Sequence, residues 1–156
     1  MKKPLKIILI IVGVILVLGV AIATITMTAM NSTSNSTEYK IGNTNIPSIK
    51  AVLEKRSVSG VSTETSNNIT KKVYTYSKIK NVNGDLVKYV NYLKQNNGFL
   101  AITDFDLNTQ NGTLQLGKNS SESGKVIILD IQWDLGTYSI ALRSGSGSIN
   151  KKASTK

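Results

Sequence analysis

The sequence predicts a small α+β protein: an N-terminal transmembrane helix or signal segment, then an antiparallel β-sheet domain with one packed helix, in the order β-β-α-β-β-β-β. Three observations predict it. Residues 7–30 form an uncharged apolar run. Leu86, Tyr89, Val90 and Leu93 recur at the spacing of one helix face, and Ile127, Leu129, Ile131, Trp133 and Leu135 alternate with polar residues at the period of a half-buried strand.

The apolar run comes first. As a helix it would be about 36 Å long at about 1.5 Å per residue, enough for a hydrocarbon core of about 30 Å with some tilt. Lys2, Lys3 and Lys6 precede it, while residues 31–37 carry no positive charge. Cationic flanks stay on the cytoplasmic side, so the remaining chain is expected outside the membrane. Two fates compete for this run. As a signal peptide it would be cut after Ala21-Ile22-Ala23, before Thr24. As a signal-anchor it would continue through Ile25, Met27 and Met30, which a peptidase site does not require; this is the reading adopted, and both fates export the domain. The expected organisation is therefore a basic flank plus anchor over 1–30, a polar linker over 31–45, an exported domain over 46–143 and a flexible Gly/Ser/Lys tail over 144–156.

Charge and composition narrow the chemistry. The formal net charge is +10, and removing the three lysines at each end leaves +4 for residues 31–150. Such a mildly basic body argues against a nucleic-acid partner. The chain has no cysteine and no histidine, which excludes disulfides, thiolate and imidazole metal ligands, and a histidine base. Its abundance of Asn, Lys, Ile and Ser fits an AT-rich bacterial genome.

In the exported part, residues 49–61 and 69–80 are rich in β-branched and aromatic side chains and read as two strands joined by a polar loop over 62–68. A short helix over 49–55 is the alternative for the first, since Ile49, Val52 and Leu53 fit helical spacing. Residues 85–96 form the amphipathic helix, with Asn83 as N-cap, Asp85 at the positive end of its dipole and Gly98 at its end. A strand over 101–107 then turns at Asn111-Gly112 into a strand over 113–117. A Ser- and Gly-rich loop leads to the strand over 126–135, Gly136 turns the chain, and Tyr138, Ile140 and Leu142 line the last strand's inner face.

One stretch stands out as a candidate site. Lys72, Tyr74, Tyr76, Lys78 and Lys80 share one face if the chain stays extended, giving a basic, aromatic stripe suited to phosphate-bearing envelope polymer, anionic lipid or acidic protein. The alternative is that Tyr74 and Tyr76 are core residues with lysines reaching past them. Asp104, Asp106 and Asn108 open like a calcium loop, but Thr109 replaces its glycine and Gln115 its final glutamate, so no metal and no cofactor are expected. Carboxylates such as Asp104 and Asp130, with Asp106 and Asp134, could in principle do acid-base work, but the domain is too small for long active-site loops; the expectation is a protein that is not an enzyme. The sequence thus points to a membrane-anchored extracytoplasmic binding domain for anionic envelope polymer or a protein partner. The alternative is a cleaved, secreted structural or inhibitory protein that docks a partner through a sheet edge, and a small carboxylate-dependent enzyme ranks third.

Overall fold

The structure, a computed structural model, describes residues 10–12, 24–27, 36–66 and 69–150. It is mostly antiparallel β-sheet with one long helix, as expected for a small α+β domain. A seven-stranded sheet runs in the order β2 (Thr24–Met27), β5 (Gly60–Ser66), β6 (Ile69–Ser77), β10 (Thr137–Ser146), β9 (Lys125–Asp134), β8 (Gly112–Asn119) and β7 (Leu100–Ala101). Two smaller pairs flank it: a hairpin of β3 (Glu38–Ile41) with β4 (Thr44–Pro47), and β1 (Ile10–Val12) with β11 (Ser148–Asn150). A one-turn helix α1 (Ile49–Val52) precedes β5, and helix α2 (Val82–Asn96) joins β6 to β7.

Helix α2 exists because its apolar residues fall on one stripe. Leu86, Tyr89, Val90 and Leu93 are buried against Tyr74, Tyr76, Leu129, Ile131, Tyr138 and Ile140 of the sheet, while Lys88, Asn91 and Gln95 face solvent. Each fully buried side chain of this size contributes about 2 kcal/mol. The cap sits two residues earlier than expected: the Asn81 side chain accepts a hydrogen bond from the Gly84 amide at 2.9 Å. Asn83 instead reaches across to the loop before β8, donating from Nδ2 to the carbonyls of Leu107 and, at 2.8 Å, Thr109. Gly98 ends the helix in the left-handed region, at φ +70°.

Several expectations are corrected. Residues 49–61 are not one strand; Ile49–Val52 is the short helix held open as the alternative, and β5 begins only at Gly60. The expected loop over 62–68 is strand as far as Ser66, because β-branched Thr63 and Thr65 suit a pleated surface and β6 offers a full ladder from Gly60↔Thr75 to Ser66↔Ile69. Of the strand expected over 101–107, only Leu100–Ala101 pairs with β8. Side chains replace the ladder beyond it: Thr103 Oγ1 accepts from the Gln115 amide at 3.0 Å, and Asp106 Oδ1 accepts from the Asn108 amide at 2.9 Å. Strand β9 stops at Asp134, leaving Leu135 72% exposed in the turn before Gly136.

Gly112 is needed for a different reason than the one its sequence context suggests. It opens β8 opposite Trp133, and a Cβ there would lie 2.4 Å from Trp133 Cζ2. Close approach, not turn geometry, selects glycine.

Strands also lie on both sides of residues 46–143. The β3–β4 hairpin falls largely within the stretch read as linker, and its Tyr39 and Ile46 are fully buried. At the other end β10 runs to Ser146, and Ile149 packs with Val126 and Ile128 in a small second core on the sheet face away from α2. Residues 151–156 lie outside the described residues. Within the apolar run over 7–30, Ile10–Val12 pairs with β11 and Thr24–Met27 with β5, and the remainder lies outside the described residues. Among the described residues no helix is long and apolar enough to cross a membrane.

A buried polar chain ties these layers together. Asp85, 6% exposed, accepts from Arg56 through both Nε and Nη2, the latter at 2.9 Å, and from the Tyr138 hydroxyl at 3.3 Å. The Tyr138 ring stacks on Tyr76 at 5.0 Å, and the Tyr76 hydroxyl lies 2.5 Å from that of Tyr39. Tyr39 accepts from the Ile49 amide at 3.2 Å, and Tyr89 donates to the Pro47 carbonyl at 2.8 Å. The hairpin, both helices and the central strands are thereby joined by side-chain contacts.

Three outcomes follow. Arg56→Ala leaves a buried carboxylate with a neutral partner only and, because Arg56 is 30% exposed, costs about 2 kcal/mol in chemical denaturation, less than a fully buried pair would; Asp85→Ala in the same background adds little. Gly112→Ala costs about 1–3 kcal/mol through overpacking and shifts the emission of Trp133, the only tryptophan. Burial holds Tyr39, Tyr89 and Tyr138 well above the usual 10.0 and pushes Tyr76 up to about 12. These phenols ionise readily only in the unfolded chain, so stability is full below pH ~10 and falls as pH rises beyond it. The part of the 295 nm absorbance rise due to these four phenols should therefore coincide with loss of circular dichroism; completion of the rise while the protein is still folded would contradict this.

Candidate functional site

Alternation along β6 puts Lys72, Tyr74 and Tyr76 on the sheet face that carries the helix and hairpin. Tyr74 and Tyr76 are buried in the core, at 3% and 0% exposure, and the Tyr39 ring lies 4.4 Å from that of Tyr74. Lys72 stands at the margin, where its ammonium lies 5.5 Å from the Tyr74 ring centroid. Lys78 ends the strand in a left-handed conformation, at φ 59°, and the Ile79 amide donates to the Gly136 carbonyl at 2.9 Å. Lys78 and Lys80 are exposed at that end, about 20 Å from Lys72 at about 3.3 Å per residue. The five-residue stripe is thus divided: the tyrosines face inward, and the lysines fall at opposite ends.

What the fold brings to Lys72 is the hairpin. Lys40, Ile41 and Gly42 hang over the ends of β6 and β10, and with Thr70, Lys72, Leu142 and Ser144 they line an open recess of about 310 Å³. Gly42 makes the tight turn at φ +53°. Its backbone lies beside Glu122, whose carboxylate is engaged by Lys125 at 2.6 Å. The floor is apolar, from Ile41 and buried Leu142, and the rim carries two ammonium groups and two hydroxyls. No carboxylate belongs to the lining, and neither Lys40 nor Lys72 forms an ion pair among the described residues. Two unpaired cations about an apolar floor suit an anion joined to a short hydrocarbon segment.

Lys40 is not among the residues the sequence offers, since it lies in the stretch that reads as linker. The signal was present: Gly42-Asn43 is a two-residue turn pair, and Tyr39 and Ile46 flank it at positions that oppose each other across the hairpin.

The carboxylates do not converge. Asp130 sits on the other sheet face, held by Arg143 Nε at 2.8 Å and by Gln115 Nε2 at 2.6 Å. Asp134 accepts from the Leu135 amide at 2.7 Å, and Asp106 closes its own turn onto Asn108. Among the described residues no group of three or more acidic side chains is placed to hold a metal ion. The chain matches no protein-family model, no curated protein and no solved structure.

Proposed function

We propose that this protein is a non-enzymatic binding domain, held at the outer face of a bacterial cytoplasmic membrane by its N-terminal apolar run, whose recess takes a phosphate-bearing envelope polymer. The observation that carries the reading is the pair Lys40 and Lys72, set over an apolar floor with no neutralising carboxylate in the lining. Phosphodiester units joined by short carbon chains match both features: the ammonium groups and the Thr70 and Ser144 hydroxyls meet the phosphate, and Ile41, backed by buried Leu142, meets the carbon backbone. Lys78 and Lys80 lie too far away to share one ligand unit and serve at most a longer polymer.

A second reading, a cleaved and secreted protein, is favoured by one observation. Strand β2 begins at Thr24, the residue that cleavage after Ala23 would leave at the N-terminus. Intact mass of the native product separates the two fates.

The binding test uses the full chain in detergent with a poly(glycerol phosphate) probe. Affinity should fall as salt rises. Lys40→Glu with Lys72→Glu should weaken binding by about tenfold or more, equivalent to about 1.4 kcal/mol, whereas Lys78→Glu with Lys80→Glu should leave most of it. Salt-independent binding, or a larger loss from the second pair, would overturn the assignment.

A further inference from the structure

The sheet has two unequal edges. At one end β7 is two residues long and offers little to a neighbouring strand. At the other, β5 runs for seven residues as GVSTETS, with no lysine, no proline and only one charged side chain, Glu64. Long edges without such features pair indiscriminately unless something covers them. The structure places Thr24–Met27 there, antiparallel, in the register Thr24↔Thr65, Ile25↔Glu64, Thr26↔Thr63 and Met27↔Ser62.

We propose that Thr24–Met27 is the first strand of the exported domain and the resident cover of the β5 edge, so that the domain is docked where the chain leaves the membrane instead of swinging on a long tether. The proposal rests on the export reading above.

The sequence changes character at this point. Residues 7–23 carry no hydroxyl, whereas Thr24, Thr26 and Thr28 alternate with Ile25, Met27 and Ala29, the period-2 pattern of a strand. Strand backbone must find its hydrogen bonds outside the hydrocarbon core unless a closed barrel supplies them, so pairing with β5 sets the membrane boundary at or before Thr24. That leaves the 17 residues 7–23 for a span; as a helix they would be about 25 Å long, at the short end of what crosses a bilayer.

Strand β1 behaves differently. Ile10–Val12 lies inside those 17 residues and pairs with β11 in the same structure, so that pairing and an inserted span exclude each other, and the proposal rests on the β2–β5 register alone. Strand β11 has other support: Asn119 accepts from the Ile149 amide at 2.7 Å and donates to its carbonyl at 3.0 Å, and Ile149 is buried. Among the described residues β5 has no partner except β2 on that edge.

The absence of cysteine makes the test direct. Two double variants of the full chain, Thr26→Cys with Thr63→Cys and Ile25→Cys with Glu64→Cys, are oxidised in membranes. Adjacent antiparallel pairs alternate in spacing, so at least one of the two falls within disulfide reach. Thr26→Cys with Thr75→Cys, whose partner strand lies beyond β5, is the control. Native Trp133 emission is required of each variant, and sedimentation with carbonate-washed membranes reports the anchor separately. The expected result is an intramolecular disulfide in a register pair, at least tenfold above the control. A disulfide within a soluble species beginning at Thr24 would support the docked strand and remove the anchor. Disulfide-linked dimers would give the edge to a second copy and overturn the proposal. Folded, membrane-bound protein with no disulfide above the control would overturn it while leaving the anchor in place.

Discussion

Asp85 is the carboxylate on which the arrangement of layers depends. It sits in the first turn of α2, where the helix dipole favours negative charge. Its two oxygens are taken by Arg56, from the segment between α1 and β5, and by Tyr138 from the middle of the sheet. Apolar packing alone would hold α2 on the sheet but tolerate sliding along it, because a stripe of Leu, Val and Tyr presents a similar face at each turn. A buried carboxylate with directional partners on two other elements fixes one position.

The candidate site inherits its geometry from that constraint. Tyr138 stacks on Tyr76, the Tyr76 hydroxyl meets Tyr39, and Tyr39 belongs to the hairpin that carries Lys40 over the sheet margin. The hairpin is short and would be marginal by itself. It is held by inward contacts of Tyr39 and Ile46 rather than by its own ladder. The tyrosines that the sequence offers as ligand contacts therefore have another part in the structure: they are buried supports, and the groups left for a ligand are the lysines and hydroxyls at the end of the same face.

Legibility in the sequence followed the strength of each periodic signal. Helix α2 and strands β9 and β10 could be read because their apolar residues repeat at 3.6 or 2 over long stretches, and Gly98 and Gly136 punctuate them where positive φ occurs. The second half of β5 reads as loop in the sequence because Thr63, Glu64, Thr65 and Ser66 look like turn residues when the neighbouring strand is unknown. The strand expected over 101–107 failed because Asp106 and Thr103 form hydrogen bonds that compete with the ladder. Half of the recess was visible, in Lys72; Lys40 was not, since nothing local to the hairpin announces that its turn folds back over β6. The division of the lysine stripe was equally hidden, because the left-handed turn at Lys78 falls on a residue type that seldom adopts it.

The central claim is that the hairpin and the sheet margin together form an anion site. Amide chemical-shift mapping tests it most directly, with isotopically labelled full-length protein in micelles titrated with glycerol 1-phosphate. Saturable shifts confined to Lys40, Ile41, Gly42, Lys72 and Ser144 are the predicted result. Shifts centred on Lys78 and Lys80, or spread evenly over the surface lysines without saturation, would contradict it.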